Sequence, residues 1–225
     1  MENTMNYNWH DHVDIYCERL SADLWAEPLN AITNIFFLLT SFMAFRLWQK
    51  SASRSWDMLA LAILIGIVGV GSFIFHTVAT KWASLADVIP IAIYIHFGLA
   101  LFLYRIMKFD LMFTMLGTFF YFIFGVGLQR IVPPDFFNRS GQYSGAILLL
   151  LLMAAFAYIR KVPSARYFLM GFIIFGISLI FRSMDMPMCA EFPLGLHFMW
   201  HLLNAVVMYV VYKGIMSYSR LSVKV

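Results

Sequence analysis

His197 and His201 stand four residues apart, a spacing that puts both imidazoles on one face of a helix. His76 closes an earlier apolar run, Ser72 sits four residues before it on the same face, and Asp87 opens the run that follows. A polar or ionisable side chain inside a hydrophobic span is costly and has to find a partner there. Three imidazoles at one depth, with a fourth position left for water, make the donor set of a catalytic zinc site. Zinc brings the pKa of a bound water to about 7 and polarises a carbonyl. Asp87, close but not needed as a ligand, then reads as general base and later as acid for a leaving amine. Ser72 reads as a donor to the developing oxyanion or as a holder of the water.

Blander readings of the same residues exist. A lone intramembrane histidine is often a hydrogen-bonded packing residue. A bis-histidine haem needs imidazoles facing each other across a macrocycle, which two histidines on one helix face do not provide. His96 lies about 13 Å deeper than Asp87 at 1.5 Å per residue, too far for the same ion. It is read as a hydrogen bonder inside the bundle. Gly66, Gly69 and Gly71, just before Ser72, read as ordinary close helix packing.

The elements that position these groups are membrane helices. The chain has 225 residues, 62% of them hydrophobic and only 12% charged, where soluble domains carry about 25% charged residues. Seven stretches are long enough to cross a hydrocarbon core: Ala26–Trp48, Asp57–Thr77, Leu85–Tyr104, Leu111–Leu128, Gly141–Ile159, Tyr167–Phe181 and Leu196–Tyr212. The fold class expected is all-α, a seven-transmembrane-helix bundle over residues 26–213. An acidic N-terminal arm, 1–25, precedes it and a cytoplasmic tail, 214–225, follows. The arm lacks the basic-then-apolar pattern of a cleavable signal.

Charge sets the expected orientation. One face collects Arg46, Lys50, Arg54, Arg105, Lys108, Arg160, Lys161, Arg166, Lys213, Arg220 and Lys224. The other has Arg19, Lys81, Arg130, Arg139 and Arg182, so the count is eleven against five. The positive-inside rule then places the N-terminus outside and the C-terminus in the cytoplasm. The net charge of +4 is topological, with no nucleic-acid footprint. His76, Asp87, His197 and His201 all fall at the outer ends of their helices under that topology.

Several of these segments resemble the alkaline ceramidases, within a superfamily of seven-helix membrane hydrolases that includes the adiponectin and progestin receptors. They are Gly71-Ser72-Phe73-Ile74-Phe75-His76, the later Asp87, and Leu196-His197-Phe198-Met199-Trp200-His201. Asp14-Ile15-Tyr16-Cys17-Glu18-Arg19, Glu27 through Asn34, and Asp185 followed by Cys189 extend the likeness from Asp14 to about Asn204. The spelling Tyr-Cys-Glu-Arg and the compact loops are similar to bacterial members. The resemblance implies zinc on His76, His197 and His201, catalysis by Ser72 and Asp87, and hydrolysis of the amide in ceramide to a sphingoid base and a fatty acid, with another N-acyl lipid as substrate in a bacterium without sphingolipids. It also implies a calcium site on Asp14, Glu18, Glu27 and the Tyr16 carbonyl, since calcium prefers six to eight oxygens. Here Asp14 and Glu18 stand one residue further apart than in animal enzymes, and Leu20 replaces an asparagine. A solvated acidic arm is the alternative.

The two cysteines, Cys17 and Cys189, both fall on the expected outer side, where an oxidising compartment permits a bridge. The resemblance supports that pairing. The expected location is a bacterial inner membrane, or the ER and Golgi of a eukaryote, with the site on the extracytoplasmic side. A receptor or sensor with a structural zinc is the competing reading. It would need cytoplasmic docking surface, which the short loops offer little of. A transporter would need polar groups through the inner halves of the spans, and few lie there beyond His96.

Overall fold

Ten helical segments beginning at Pro28, with short connections, build the computed structural model, which describes residues 8–133 and 135–221. The helices are α1 (Pro28–Thr33), α2 (Ile35–Gln49), α3 (Trp56–Val78), α4 (Lys81–Leu101), α5 (Leu111–Ile131), α6 (Ser144–Ile159), α7 (Ala165–Met184) and α8 (His197–Leu221). A π-helical turn, Phe102–Ile106, extends α4, and a short 3-10 turn, Ser140–Tyr143, leads into α6. Grouped by length and apolarity they make seven spans, Pro28–Gln49, Trp56–Val78, Lys81–Ile106, Leu111–Ile131, Ser140–Ile159, Ala165–Met184 and His197–Tyr218. The seven-helix, all-α expectation therefore holds. Helix α8 continues past Lys213 to Leu221, into the stretch expected to be tail.

The spans differ in how much they enclose. Of α8's apolar stretch 61% is buried inside the protein, against 6% of α5's. α8 is thus the central post, packed against α7, α2 and α3, while α5 leans on the outside and turns its Phe- and Met-rich surface outward. In lipid such a surface needs no protein partner, because acyl chains are as apolar as the side chains they would replace. At the end remote from the histidines, Arg105 on the π-helical turn donates to both oxygens of Asp57, at 2.8 and 2.6 Å, and to Ser55 Oγ at 2.8 Å. This bidentate pair ties the start of α3 to the end of α4.

Two local features fix where the chemistry falls. Pro90 inside α4 has no N–H to return to the carbonyl of Ala86, so that oxygen is released from the helix ladder. α3 crosses at this point. A Cβ built on Gly71 would stand 2.0 Å from Ala86 O and 3.5 Å from Asp87 Cα. Only a glycine allows the two backbones so close. The crossing brings Ser72 on α3 beside Asp87 on α4. Gly66 and Gly69 likewise face Ser41 and Phe37 of α2, which is the packing role read from sequence.

The N-terminal arm folds over the same end of the bundle. Val13 N donates to Ala79 O at 2.8 Å, and His12 pairs with Thr80 across an isolated antiparallel bridge. Cys17 and Cys189 form a disulfide spanning 172 residues of chain, so the arm is bonded to the loop before α8. Asp185 completes the attachment. Its Oδ2 accepts from Cys17 N at 2.9 Å, while Oδ1 accepts from Leu196 N at 2.6 Å and His197 N at 2.9 Å. One carboxylate thus caps the N-terminus of α8 and holds the arm. Gly195, with φ +67°, is required in this turn, since a Cβ there would run into Asp185 and Cys17.

Candidate metal centre and active site

The start of α8, the end of α3 and the arm meet at one buried point. The donor atoms of His76, His197 and His201 all lie within 4.8 Å of one another, and each residue is at most 1% exposed. Among the described residues this is the one group of three or more histidine, cysteine or acidic side chains placed to share an ion.

The fit to a metal can be judged from the hydrogen bonds. His76 Nδ1 lies 2.6 Å from Glu27 Oε2, so a carboxylate takes the Nδ1 proton and leaves Nε2 as a lone pair. His201 Nδ1 lies 2.9 Å from Thr33 Oγ1, whose own hydroxyl proton is directed to the carbonyls of Leu29 and Asn30 at 2.9 and 3.1 Å. Thr33 therefore accepts from His201, and His201 Nε2 is also a lone pair. These two Nε2 atoms face each other at 3.1 Å. Two lone pairs repel at that distance unless a cation lies between them. Zinc–nitrogen bonds of about 2.0–2.1 Å in a tetrahedron put neighbouring nitrogens roughly 3.3 Å apart. His197 Nδ1 is buried with no hydrogen-bond partner, which suits a third donor. The chain's own residues fit a zinc ion.

Glu27 does more than orient His76. Its Oε1 takes Arg19 Nε at 2.5 Å, while Asn30 Nδ2 donates to Oε2, the oxygen that faces His76, at 3.1 Å. Arg19 is itself buried, donating also to the carbonyls of Ser21, Asp23 and His76. Glu18 accepts from Leu29 N at 2.6 Å and Asn30 N at 2.8 Å, which makes it the cap of α1, where Pro28 occupies the first helical position. Burial pushes the Glu18 carboxyl above its usual range, and the two N–H bonds only partly offset that. Asp14 is exposed. Glu18 and Glu27, expected to hold calcium, are therefore engaged with a helix N-terminus and with Arg19 and His76, and among the described residues the acids of the arm are not among the groups placed to share an ion.

Tyr16 covers the centre through its ring. It stacks on His197 with centroids 3.7 Å apart and tilts against His76 at 5.2 Å. Burial pushes its hydroxyl above the usual phenol range despite the Arg182 guanidinium beside it.

Asp87 and Ser72 line a narrow cavity that begins at His201 and runs down the bundle past Tyr94 and Leu99 to Met153 and Val211. Along α4 that is about 18 Å from Asp87 to Leu99, the length of a long acyl segment. Asp87 Oδ1 is buried and has no hydrogen-bond partner. On the other side of Asp87 lies a wider, more polar cavity of about 410 Å³ beneath the arm and the α5–α6 connection. His96 stays out of the site. Its Nδ1 bonds the carbonyl of Ala92 at 2.7 Å, and its ring meets Tyr121 and Phe122 of α5.

The three histidines, Ser72 and Asp87 singled out from the sequence meet here, and their supports were not singled out. Glu27 was read as a calcium ligand, and Thr33 and Arg182 were given no role. Glu27 had a weak signal, an acid just before a hydrophobic span. Thr33, a common residue in a membrane helix, had none.

A comparison with curated proteins returns no match. Residues 14–224 match the family model for ceramidases, nearly the whole chain and including every residue of this centre. The chain belongs to the ceramidase family.

Proposed function

We propose that the protein is a zinc-dependent amidase of the membrane, hydrolysing the N-acyl bond of ceramide-like lipids to a sphingoid base and a fatty acid. Membership of the ceramidase family supports a lipid amide as substrate. The observation that carries the metal chemistry is the pair of opposed Nε2 lone pairs on His76 and His201, 3.1 Å apart. A zinc ion held by His76, His197 and His201 supplies a water acidified to a pKa of about 7 and a Lewis acid for the amide carbonyl.

The chain's own groups do the rest. The acyl chain enters the apolar cavity, which puts the carbonyl beside Ser72 and the nitrogen beside Asp87. Asp87 takes the proton of the attacking water on its unpartnered oxygen and delivers it to the amide nitrogen as the C–N bond breaks. Ser72 donates to the carbonyl oxygen as it gains charge. Tyr16 and the tethered arm exclude bulk water from above. Glu27 and Thr33 hold two of the imidazoles in the tautomer that a cation requires.

In this reading the centre faces the extracytoplasmic side. The excess of lysine and arginine at the other end supports this, as does the disulfide beside the centre, because such bonds persist in oxidising compartments.

The test is release of fatty acid from ceramide by purified protein in detergent, read by mass spectrometry. Turnover that stops on chelation and returns with zinc supports the reading. Zinc-loaded protein that releases no fatty acid from any N-acyl lipid in a panel would refute it.

A further inference from the structure

Arg182 is a buried, strongly charged group at this centre that the mechanism leaves idle. It sits in the last turn of α7, 6% exposed, and takes part in none of the ion pairs among the described residues. Its Nη1 donates to Ser140 Oγ at 2.9 Å. Its guanidinium lies over three aromatic rings, Tyr16 at 5.9 Å, Tyr143 at 5.3 Å and Trp200 at 5.7 Å. Its Nε is buried with no partner at all. The hydroxyls of Tyr16 and Tyr143 accept from the guanidinium but are neutral, so they do not balance its charge, and its Nε stays unfilled. A buried charge in that condition is costly unless something completes it.

Its surroundings say where the completing group would come from. Arg182 lines the polar cavity together with Tyr16, Ser84, Asp87, Arg139 and Gln142. The apolar cavity on the opposite side shares Asp87 and Tyr143 with it. An acyl chain in the apolar cavity therefore leaves the amine half of the amide in the chamber that holds two arginines. Tyr16 and Trp200 each contact both the Arg182 guanidinium and the His197 ring, so a single aromatic ring links the cation to a metal donor. An anion that reaches Arg182 must therefore lie only a few bonds from the scissile nitrogen. A carboxylate on the carbon attached to that nitrogen meets this condition. Its two oxygens match the planar fork of a guanidinium.

We propose that Arg182 binds a carboxylate on the amine side of the scissile amide, so that N-acyl amino acids are substrates of this chamber. The inference rests on the amidase reading and narrows it. Hydrolysis adds water across the C–N bond and yields a fatty acid and a free amino acid, with Arg182 binding throughout and exchanging no proton. Arg182 is a specificity-determining residue, and its planar fork is what the test must vary.

N-oleoylglycine and N-oleoylethanolamine differ only in carboxylate against hydroxymethyl, so the ratio of their kcat/KM values isolates the anion. In zinc-loaded wild-type protein the glycine lipid should be favoured by at least about tenfold, since a site built around a charge discriminates against the neutral analogue. Arg182→Gln should bring the ratio towards one, mainly through KM for the glycine lipid, and Arg182→Lys should restore part of it. A wild-type ratio at or below one overturns the inference whatever the variants do. So does a high ratio that persists in Arg182→Gln. Equilibrium binding of N-oleoylglycine to metal-stripped protein separates recognition from turnover. Binding that depends on Arg182 without hydrolysis by the loaded protein upholds the anion site and refutes the amidase. Hydrolysis of ceramide with no preference for the glycine lipid does the reverse.

Discussion

Glu27 Oε2 lies 2.6 Å from His76 Nδ1, although 49 residues separate them, and Glu27 Oε1 takes Arg19. A residue outside the spans therefore sets the tautomer of a metal donor inside them. Glu27→Gln removes the charge and keeps the shape. It should weaken zinc binding by about 10–100-fold, as loss of a carboxylate partner does in other zinc sites. Competition with a chromophoric chelator measures this, and an unchanged affinity would show that the carboxylate does not support the donor.

Asp87→Asn should separate metal binding from chemistry. The amide keeps the size of the carboxyl but cannot take a proton from water. Turnover should fall by about 10²–10⁴-fold, the usual contribution of a general base, while zinc content stays at the wild-type level. Full activity in this variant would remove Asp87 from the mechanism.

Gly71→Ala tests the crossing of α3 and α4. The added methyl would meet Ala86 O at 2.0 Å, so the helices must part and carry Ser72 away from Asp87. Overpacking of this kind costs about 1–3 kcal/mol, and activity should fall with it. Gly127→Ala, on the exposed face of α5, is the control, because a Cβ there has nothing within 4 Å. Thermal unfolding and turnover of the two variants should diverge. Equal behaviour would mean that the close approach does not position the site.

The double variant Cys17→Ser, Cys189→Ser should lower stability by about 2–4 kcal/mol, as expected for opening a long loop. The arm carries Tyr16 over His197, so the loss should also raise the rate at which a chelator strips the metal. A stripping rate equal to that of wild type would detach the arm from any role as a cover.

The parts of this centre legible in the sequence are those that obey helical periodicity. His197 with His201, and Ser72 with His76, are one turn apart on single helices, so their faces could be read directly. Asp87 was legible because an acid at the start of an apolar run is expensive. The supports could not be read, because they come from tertiary contacts. Thr33 reaches His201 across 168 residues, and Arg182 meets Tyr16 only because the disulfide and Asp185 fold the arm over α7 and α8. The partners of the arm could not be read either. Its acids read as cation ligands in one dimension, whereas in the fold Glu18 caps α1 and Glu27 is neutralised by its own neighbour Arg19.

Zinc K-edge absorption fine structure on the purified protein tests the central claim most directly. The account predicts one zinc per chain with three imidazole nitrogens and one further light donor at about 2.0–2.1 Å. Protein that carries no zinc after purification in its presence, or a zinc whose shell lacks those three imidazoles, would contradict it.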